Sequence, residues 1–303
     1  MYGLIRFVPL PLMRVVAQIA AWIAKLTNAS IYRSIDRNLM LVNPNMIDAD
    51  RAQLATEALH HQMISTADSL KSWAMPPEWS IKQIKAAHNI EILKEGLSHP
   101  NGMLAIVPHI GTWEMMNAWI NQFGKPVIMY KPAKSEAMDR FILQGRQRLN
   151  ATLVPTDGTG VKAIFKTLKE GGFSIVLPDH VPDPSGGVIV PFFGIPTLTS
   201  TLASKLAQKT QCALVGLSCI RRDDNDGFEI FCYRLDDPDL YNKDIEVATL
   251  ALNNAMQRMI EPHFSHYMWG YRRFKFTPFG ENPYLLSFDH LHRQVITYKD
   301  GHS

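Results

Sequence analysis

What most restricts this chain is an alternation that starts near residue 103. Short apolar runs, "MLAIV" (103–107), "PVIMY" (126–130), "ATLVP" (151–155), "FSIVL" (173–177) and "ALVGLSC" (213–219), are separated by stretches of helical spacing at about 113–122, 135–149, 159–170 and 199–210. Strands apolar on both faces need cover on both faces, and crossovers of helix length join parallel neighbours. The pattern therefore predicts an α/β fold, a three-layer αβα arrangement with a mainly parallel mixed sheet and helices on both faces. "FEIFCYRL" (228–235) follows the turn-rich "RRDDNDG" and is expected antiparallel to its predecessor. Upstream, a long helical pattern runs from Asp48 to about Trp73 and is stopped by Pro76-Pro77. No linker divides the chain, so its 303 residues are assigned to an N-terminal helix (1–30), one α/β domain (31–283) and a C-terminal tail (284–303) to which the sequence attaches no role.

The first thirty residues behave differently. Between Arg14 and Lys25 only ten uncharged residues run together, well short of the roughly 20 apolar residues a membrane span needs. At about 100° per residue, Arg14, Gln18 and Lys25 share a stripe while Leu12, Val15, Val16, Ile19, Ile23 and Leu26 fill the opposite face. This is an amphipathic helix that can lie in an anionic leaflet, with Trp22 near the boundary. A helix packing its apolar side on the protein's own core has the same pattern, and a tilted span reaching back to Phe7 also satisfies it. With 46% hydrophobic and 19% charged residues, the chain is globular but poorly charged, which suits a partly hidden surface. A net charge of +3 is too small for a dedicated nucleic-acid binder. Cys212, Cys219 and Cys232 form an odd set with no CxxC, as expected of buried thiols in a reducing compartment.

Functional residues in parallel sheets gather in loops leaving the carboxyl ends of strands. "VPHIGTWEMMNAW" (107–119) is such a loop: it places His109 and Glu114 on either side of a glycine turn that opens a helix. An imidazole removes a hydroxyl proton only if the correct nitrogen is free, and a carboxylate on the other N–H fixes that tautomer. Glu114 can fill that part, although a glutamate in a first helical turn is favoured by the helix dipole alone. The N–H groups at the helix start, Thr112 and Trp113, are candidate oxyanion donors.

"HIGTWE" (109–114) resembles the HxxxxD/E motif of the glycerolipid acyltransferase superfamily, in the form found among the late acyltransferases of lipid A biosynthesis. "YKPAKSEAMDRFILQGRQR" (130–148), "GTGVKAIFKTLKEGGFSIVLPDH" (158–180), "VPFFGIPTLTSTLASKLAQKT" (190–210) and "HYMWGYRRFKFTPFG" (266–280) resemble later blocks of that family in order, with Lys131 where arginine is expected. The resemblance implies His109 as general base and Glu114 as its orienting partner. It implies an acyl thioester on acyl carrier protein as donor, a hydroxyl of a lipid A precursor as acceptor, and no covalent intermediate. It also implies no cofactor and a site of action on the cytoplasmic face of a bacterial inner membrane. The absence of a GxSxG elbow agrees. Other membrane lipids as acceptors, and an inactive scaffold binding lipid or carrier protein, are the alternatives.

The remaining candidates are substrate-binding. Arg146 and Arg148 close a helical segment and would either pair with its dipole or fork a phosphate. Asp179 leaves the strand "FSIVL", to position substrate or to cap a turn. Arg272 and Arg273, within the aromatic-basic "WGYRRFKF" (269–276), would face anionic headgroups, lipid phosphates or the carrier protein. The histidine pairs lack enough further ligands for a metal.

Overall fold

The structure is a computed structural model that describes residues 2–300. After a 3₁₀ turn at Tyr2–Phe7, three helices, α1 (Leu10–Leu26), α2 (Ser30–Val42) and α3 (Asp48–Ala74), precede the sheet. Then follow α4 (Pro77–Gln83), β1 (Ile84–His88), α5 (Ile90–Leu97), β2 (Met103–Ile106), α6 (Trp113–Ile120), β3 (Val127–Tyr130) and α7 (Glu136–Gln147). The next elements are β4 (Thr152–Pro155), α8 (Gly158–Lys169), β5 (Phe173–Val176), β6 (Gly187–Phe192), β7 (Ile195–Ser200) and α9 (Leu202–Thr210). The chain closes with β8 (Ala213–Arg221), β9 (Phe228–Arg234), α10 (Ile245–Ile260) and α11 (Phe288–Asp300).

Seven strands form one sheet in the order β1-β9-β8-β2-β5-β3-β4, and β6 and β7 make a separate hairpin. All five apolar runs are strands paired in parallel, and β9 is antiparallel to β8 as the turn before it predicts. Strand β1 pairs parallel with β9, so these two strands run against the other five. Every residue of β2 and β5 is buried, which is why their sequences read as unbroken apolar runs. One face of the sheet packs Leu93, Met115, Met116, Trp119 and Ile120 of α5 and α6. The other packs Ile164, Leu168, Ala203, Leu206 and Met256 of α8, α9 and α10, continuous with Ile35, Leu39 and Leu59 of α2 and α3. The three-layer expectation holds. All three cysteines are free and buried.

Helix α1 turns its apolar stripe outward. Its small residues Ala17 and Ala21 pack inward, and the one charge buried with them is Arg14. Arg14 donates to Asp68 of α3 at 2.8 Å and to the Asn225 carbonyl at 2.8 Å, while Lys71 gathers the carbonyls of Ile5, Arg6 and Val8. Leu12, Val15, Val16, Ile19, Trp22, Ile23 and Leu26 are all exposed. Packing of the apolar side on the protein's own core is thereby ruled out. No single helix among the described residues is long and apolar enough to cross a membrane; α1 and α2 together have the length, but meet at a 75° bend.

Among the described residues, the C-terminal segment is tied to α2: Arg37 holds the carbonyls of Tyr284 and Leu286, and Lys299 and His292 bind those of Val42 and Pro44.

Candidate functional site

Strands β2 and β5 lie side by side with Ile106 opposite Val176, so residues three beyond each end are also opposed. Those residues are His109 and Asp179, each preceded by proline in "VPH" and "LPD". The chain leaves β2 for α6 on one face of the sheet and leaves β5 for α9 on the other, which opens a crevice of the kind that binds ligands in α/β sheets.

Asp179, 1% exposed, grips His109 twice: one carboxylate oxygen accepts from His109 Nδ1 at 2.7 Å and the other from its backbone N–H at 2.8 Å. Burial alone would raise the carboxyl pKa, but the charge and hydrogen bonds of His109 hold it well below the carboxylate range. Tyr267, buried against the same carboxylate, has its phenol pushed far up by burial and that negative neighbour. His180 stacks on the His109 ring at 4.0 Å and Trp113 meets it edge-on at 6.2 Å. With Nδ1 so engaged, Nε2 is the nitrogen left for chemistry.

Glu114 is not the partner of His109. No hydrogen bond joins them; the Glu114 carboxylate instead receives Arg146 Nη2, whose guanidinium lies over the rings of Trp113 at 4.9 Å and Tyr130 at 5.3 Å. Both members of this ion pair are largely buried, with 2% and 11% of their side chains exposed. The expected orienting contact fails because Asp179, brought beside His109 by the pairing of β2 with β5, already holds Nδ1, and Arg146 of α7 holds Glu114. The same pair takes Arg146 away from the phosphate-binding part expected of it. Arg148 caps the C-terminus of α3 through the carbonyls of Trp73 and Ala74.

Gly111 has a φ of +63°, and a Cβ there would collide with the Cys219 carbonyl. The glycine is pinned in place, donating to the His266 carbonyl at 3.0 Å while the Thr112 N–H donates to the Cys219 carbonyl at 2.8 Å. The Thr112 N–H is therefore spent and cannot serve an oxyanion. The N–H of Trp113, at the first position of α6, has no backbone acceptor among the described residues.

A cavity of about 160 Å³ opens beside His109, lined by Gln62, Ser65, Ser69 and Trp73 of α3 with Trp113, Glu114 and Met268. Through His266 it adjoins a second cavity of about 400 Å³ that holds Arg221, Arg222, Asp223, Asp224, Glu229 and His263. His266 stacks on His61 at 3.7 Å, and burial lowers their pKa values to about 3 and about 4 respectively. Among the described residues no cluster of three or more ligand side chains suits a metal.

The aromatic-basic block divides. Arg273 is 2% exposed, with its guanidinium on the Leu198 carbonyl and Thr199 Oγ1 at 2.6 Å each, so it stitches the β6–β7 hairpin and meets no headgroup. Arg272 remains half-exposed, 3.0 Å from Ser30 Oγ at the start of α2.

The family model for bacterial lipid A biosynthesis acyltransferases matches residues 1–276, nearly the whole chain. The chain belongs to the bacterial lipid A biosynthesis acyltransferase family. It is an acyltransferase by that membership. Among its relatives, the lipid A biosynthesis lauroyltransferase of Escherichia coli (strain K12) is 26% identical over 81% of this chain and 79% of its own. The lipid A biosynthesis palmitoleoyltransferase of the same strain is 21% identical over 81% and 79%. A phosphatidylinositol mannoside acyltransferase of Mycobacterium tuberculosis (strain ATCC 25618 / H37Rv) is 26% identical over 61% and 60%.

The contact that sequence reasoning missed was that of Asp179 with His109. Its signal was present as a parallel between two strand exits, Val-Pro-His and Leu-Pro-Asp, on strands whose neighbourhood only the sheet order reveals.

Proposed function

We propose that this acyltransferase moves a fatty acyl group from acyl carrier protein to a hydroxyl of a membrane-embedded lipid A precursor, the hydroxyl of an attached 3-hydroxyacyl chain, on the cytoplasmic face of the inner membrane. The observation that carries the mechanism is the double hydrogen bond from His109 to buried Asp179. Asp179 keeps the proton on Nδ1, so Nε2 accepts the acceptor's hydroxyl proton as its oxygen attacks the thioester carbonyl. The C–O bond forms, the tetrahedral oxyanion takes the Trp113 N–H, the C–S bond breaks, and the departing thiolate recovers the proton from Nε2. No covalent enzyme intermediate is needed, because a thiolate is already a good leaving group. Glu114 supports the site through Arg146 and the placement of α6.

The cavity beside His109 is smaller than the roughly 300–1,000 Å³ of pockets that enclose a whole ligand. Only the reacting ends enter it, and the lipid tails stay in the bilayer that the exposed stripe of α1 enters. Arg272, at the head of α2, faces anionic headgroups there. The larger cavity beyond His266, with two arginines and three carboxylates around Phe231, suits a polyhydroxylated headgroup. The test has two arms. Purified protein with lauroyl-acyl carrier protein and a lipid A precursor should yield one added acyl chain, and His109→Ala should abolish it. Mass spectra of lipids from cells lacking the protein should show lipid A one chain short; loss confined to another glycolipid would transfer the reading to that acceptor.

A further inference from the structure

On the sheet face that carries α8 and α9, a groove of about 340 Å³ runs between these two helices. Its floor is Val161, Phe165, Leu202 and Leu206, and its rim is Lys162, Lys205 and Lys209. Lys166 and Lys169 extend the rim along α8, where Lys166 lies 3.8 Å from Glu170. Among the described residues none of the three rim lysines has an ion-pair partner, and all three are exposed. Five lysines around a recessed apolar trough are not needed by the fold, since exposed unpaired cations contribute little to stability.

The shape decides between two classes of anionic partner. A surface that enters a bilayer must present exposed apolar side chains, as α1 does. None of the exposed large apolar residues belongs to α8 or α9: the floor residues are buried or half-buried, below the lysines. A trough between two helices with a basic rim is instead the complement of an amphipathic helix whose apolar residues are flanked by carboxylates. The position also fits. Both helices start at the carboxyl edge of the parallel strands and run back along them, so their first turns stand at the edge that carries His109 and Asp179.

We infer that the α8–α9 groove docks an acidic amphipathic helix of a protein partner, and that this partner is the protein that delivers the acyl thioester. The second clause rests on the donor assignment above; the docking itself does not.

The test is charge reversal at Lys162→Glu, Lys205→Glu and Lys209→Glu together, all exposed and away from the reacting atoms. Transfer is measured with dodecanoyl-acyl carrier protein and, separately, with dodecanoyl-pantetheine, a donor with no protein attached. Docking predicts that KM for the protein-borne donor rises roughly tenfold or more with kcat nearly kept, while the small thioester is used as before. Equal KM values for the protein-borne donor in wild type and variant would overturn it. Direct binding of dodecanoyl-acyl carrier protein is measured in parallel: wild-type binding should weaken from about 0.05 to 0.3 M salt, and the variant's should be lost. If wild-type protein used neither donor, the reaction reading would fall and the binding arm alone would decide the groove: lost binding upholds it, unchanged binding overturns it. Loss of binding to anionic vesicles with carrier binding intact would also overturn it, making the groove a membrane surface.

Discussion

Replacing Asp179 by asparagine preserves volume and removes one acceptor, so it isolates what the carboxylate does. His109 presents two donors to Asp179, the Nδ1–H at 2.7 Å and the backbone N–H at 2.8 Å. An asparagine has one acceptor oxygen and one NH₂ group, so only one donor can be served. If the amide oxygen serves the backbone, the NH₂ faces Nδ1 and is satisfied only when the ring moves its proton to Nε2, the nitrogen that must be bare to act as a base. In the Ser-His-Asp triad the equivalent change costs about 10⁴ in kcat for this reason. A loss of 10³–10⁴ is expected here, about 4–5.5 kcal/mol of barrier at 1.36 kcal/mol per decade. Steady-state transfer from lauroyl-acyl carrier protein in membranes would show kcat down and KM little changed. A variant that folds normally and keeps kcat within tenfold of wild type would refute the claim that Asp179 sets the tautomer.

Four further outcomes follow. Glu114→Gln leaves Arg146 as a buried charge without its counter-ion, so it should lower stability by about 3–5 kcal/mol, read by urea denaturation, and leave the residual enzyme's pH–rate profile unmoved. Val16→Asp with Ile19→Asp, on the exposed stripe of α1, should release the protein from anionic vesicles in flotation while preserving its melting temperature. Gly111→Ala should unfold or inactivate the protein, because its Cβ would strike the Cys219 carbonyl at a positive φ. Acidification should destabilise the fold: His61 and His266 stay neutral when folded, with pKa values of about 4 and about 3, whereas the unfolded chain takes up their protons near pH 6.5. Stability is thus fully present above pH 6.5 and falls toward pH 4, by at most about 1.4 kcal/mol per pH unit for each histidine before solvent exposure reduces it. Urea midpoints measured between those limits check it, and His266→Asn should flatten the slope.

The sheet was legible because its central strands β2, β5 and β8 are buried on both faces and read as unbroken apolar runs, and β3 and β4 repeat the pattern toward the edge. The β6–β7 hairpin was not: Pro191 and Pro196 break its strand pattern, and its turn is Phe193-Gly194, both at positive φ, without the usual Asn-Gly signal. Strand β1, "IKAAH", has no apolar alternation and is held by its pairing with β9. His109 could be found from its loop, since strand exits followed by a glycine and a helix are a local pattern. Its partner could not, because whether Glu114 or Asp179 reaches the ring depends on β5 lying beside β2, a non-local fact. Which way α1 faces was hidden for a similar reason. Periodicity shows that a helix has two faces, but which of them turns inward rests on non-local partners such as Asp68, 54 residues away from Arg14.

The central claim concerns one proton, and ¹⁵N chemical shifts of His109 read it directly. At the pH of maximal activity the wild-type ring should carry its proton on Nδ1 with Nε2 bare, and Asp179→Asn should move it to Nε2. A wild-type ring protonated on Nε2, or one indifferent to the loss of the Asp179 charge, would contradict the account.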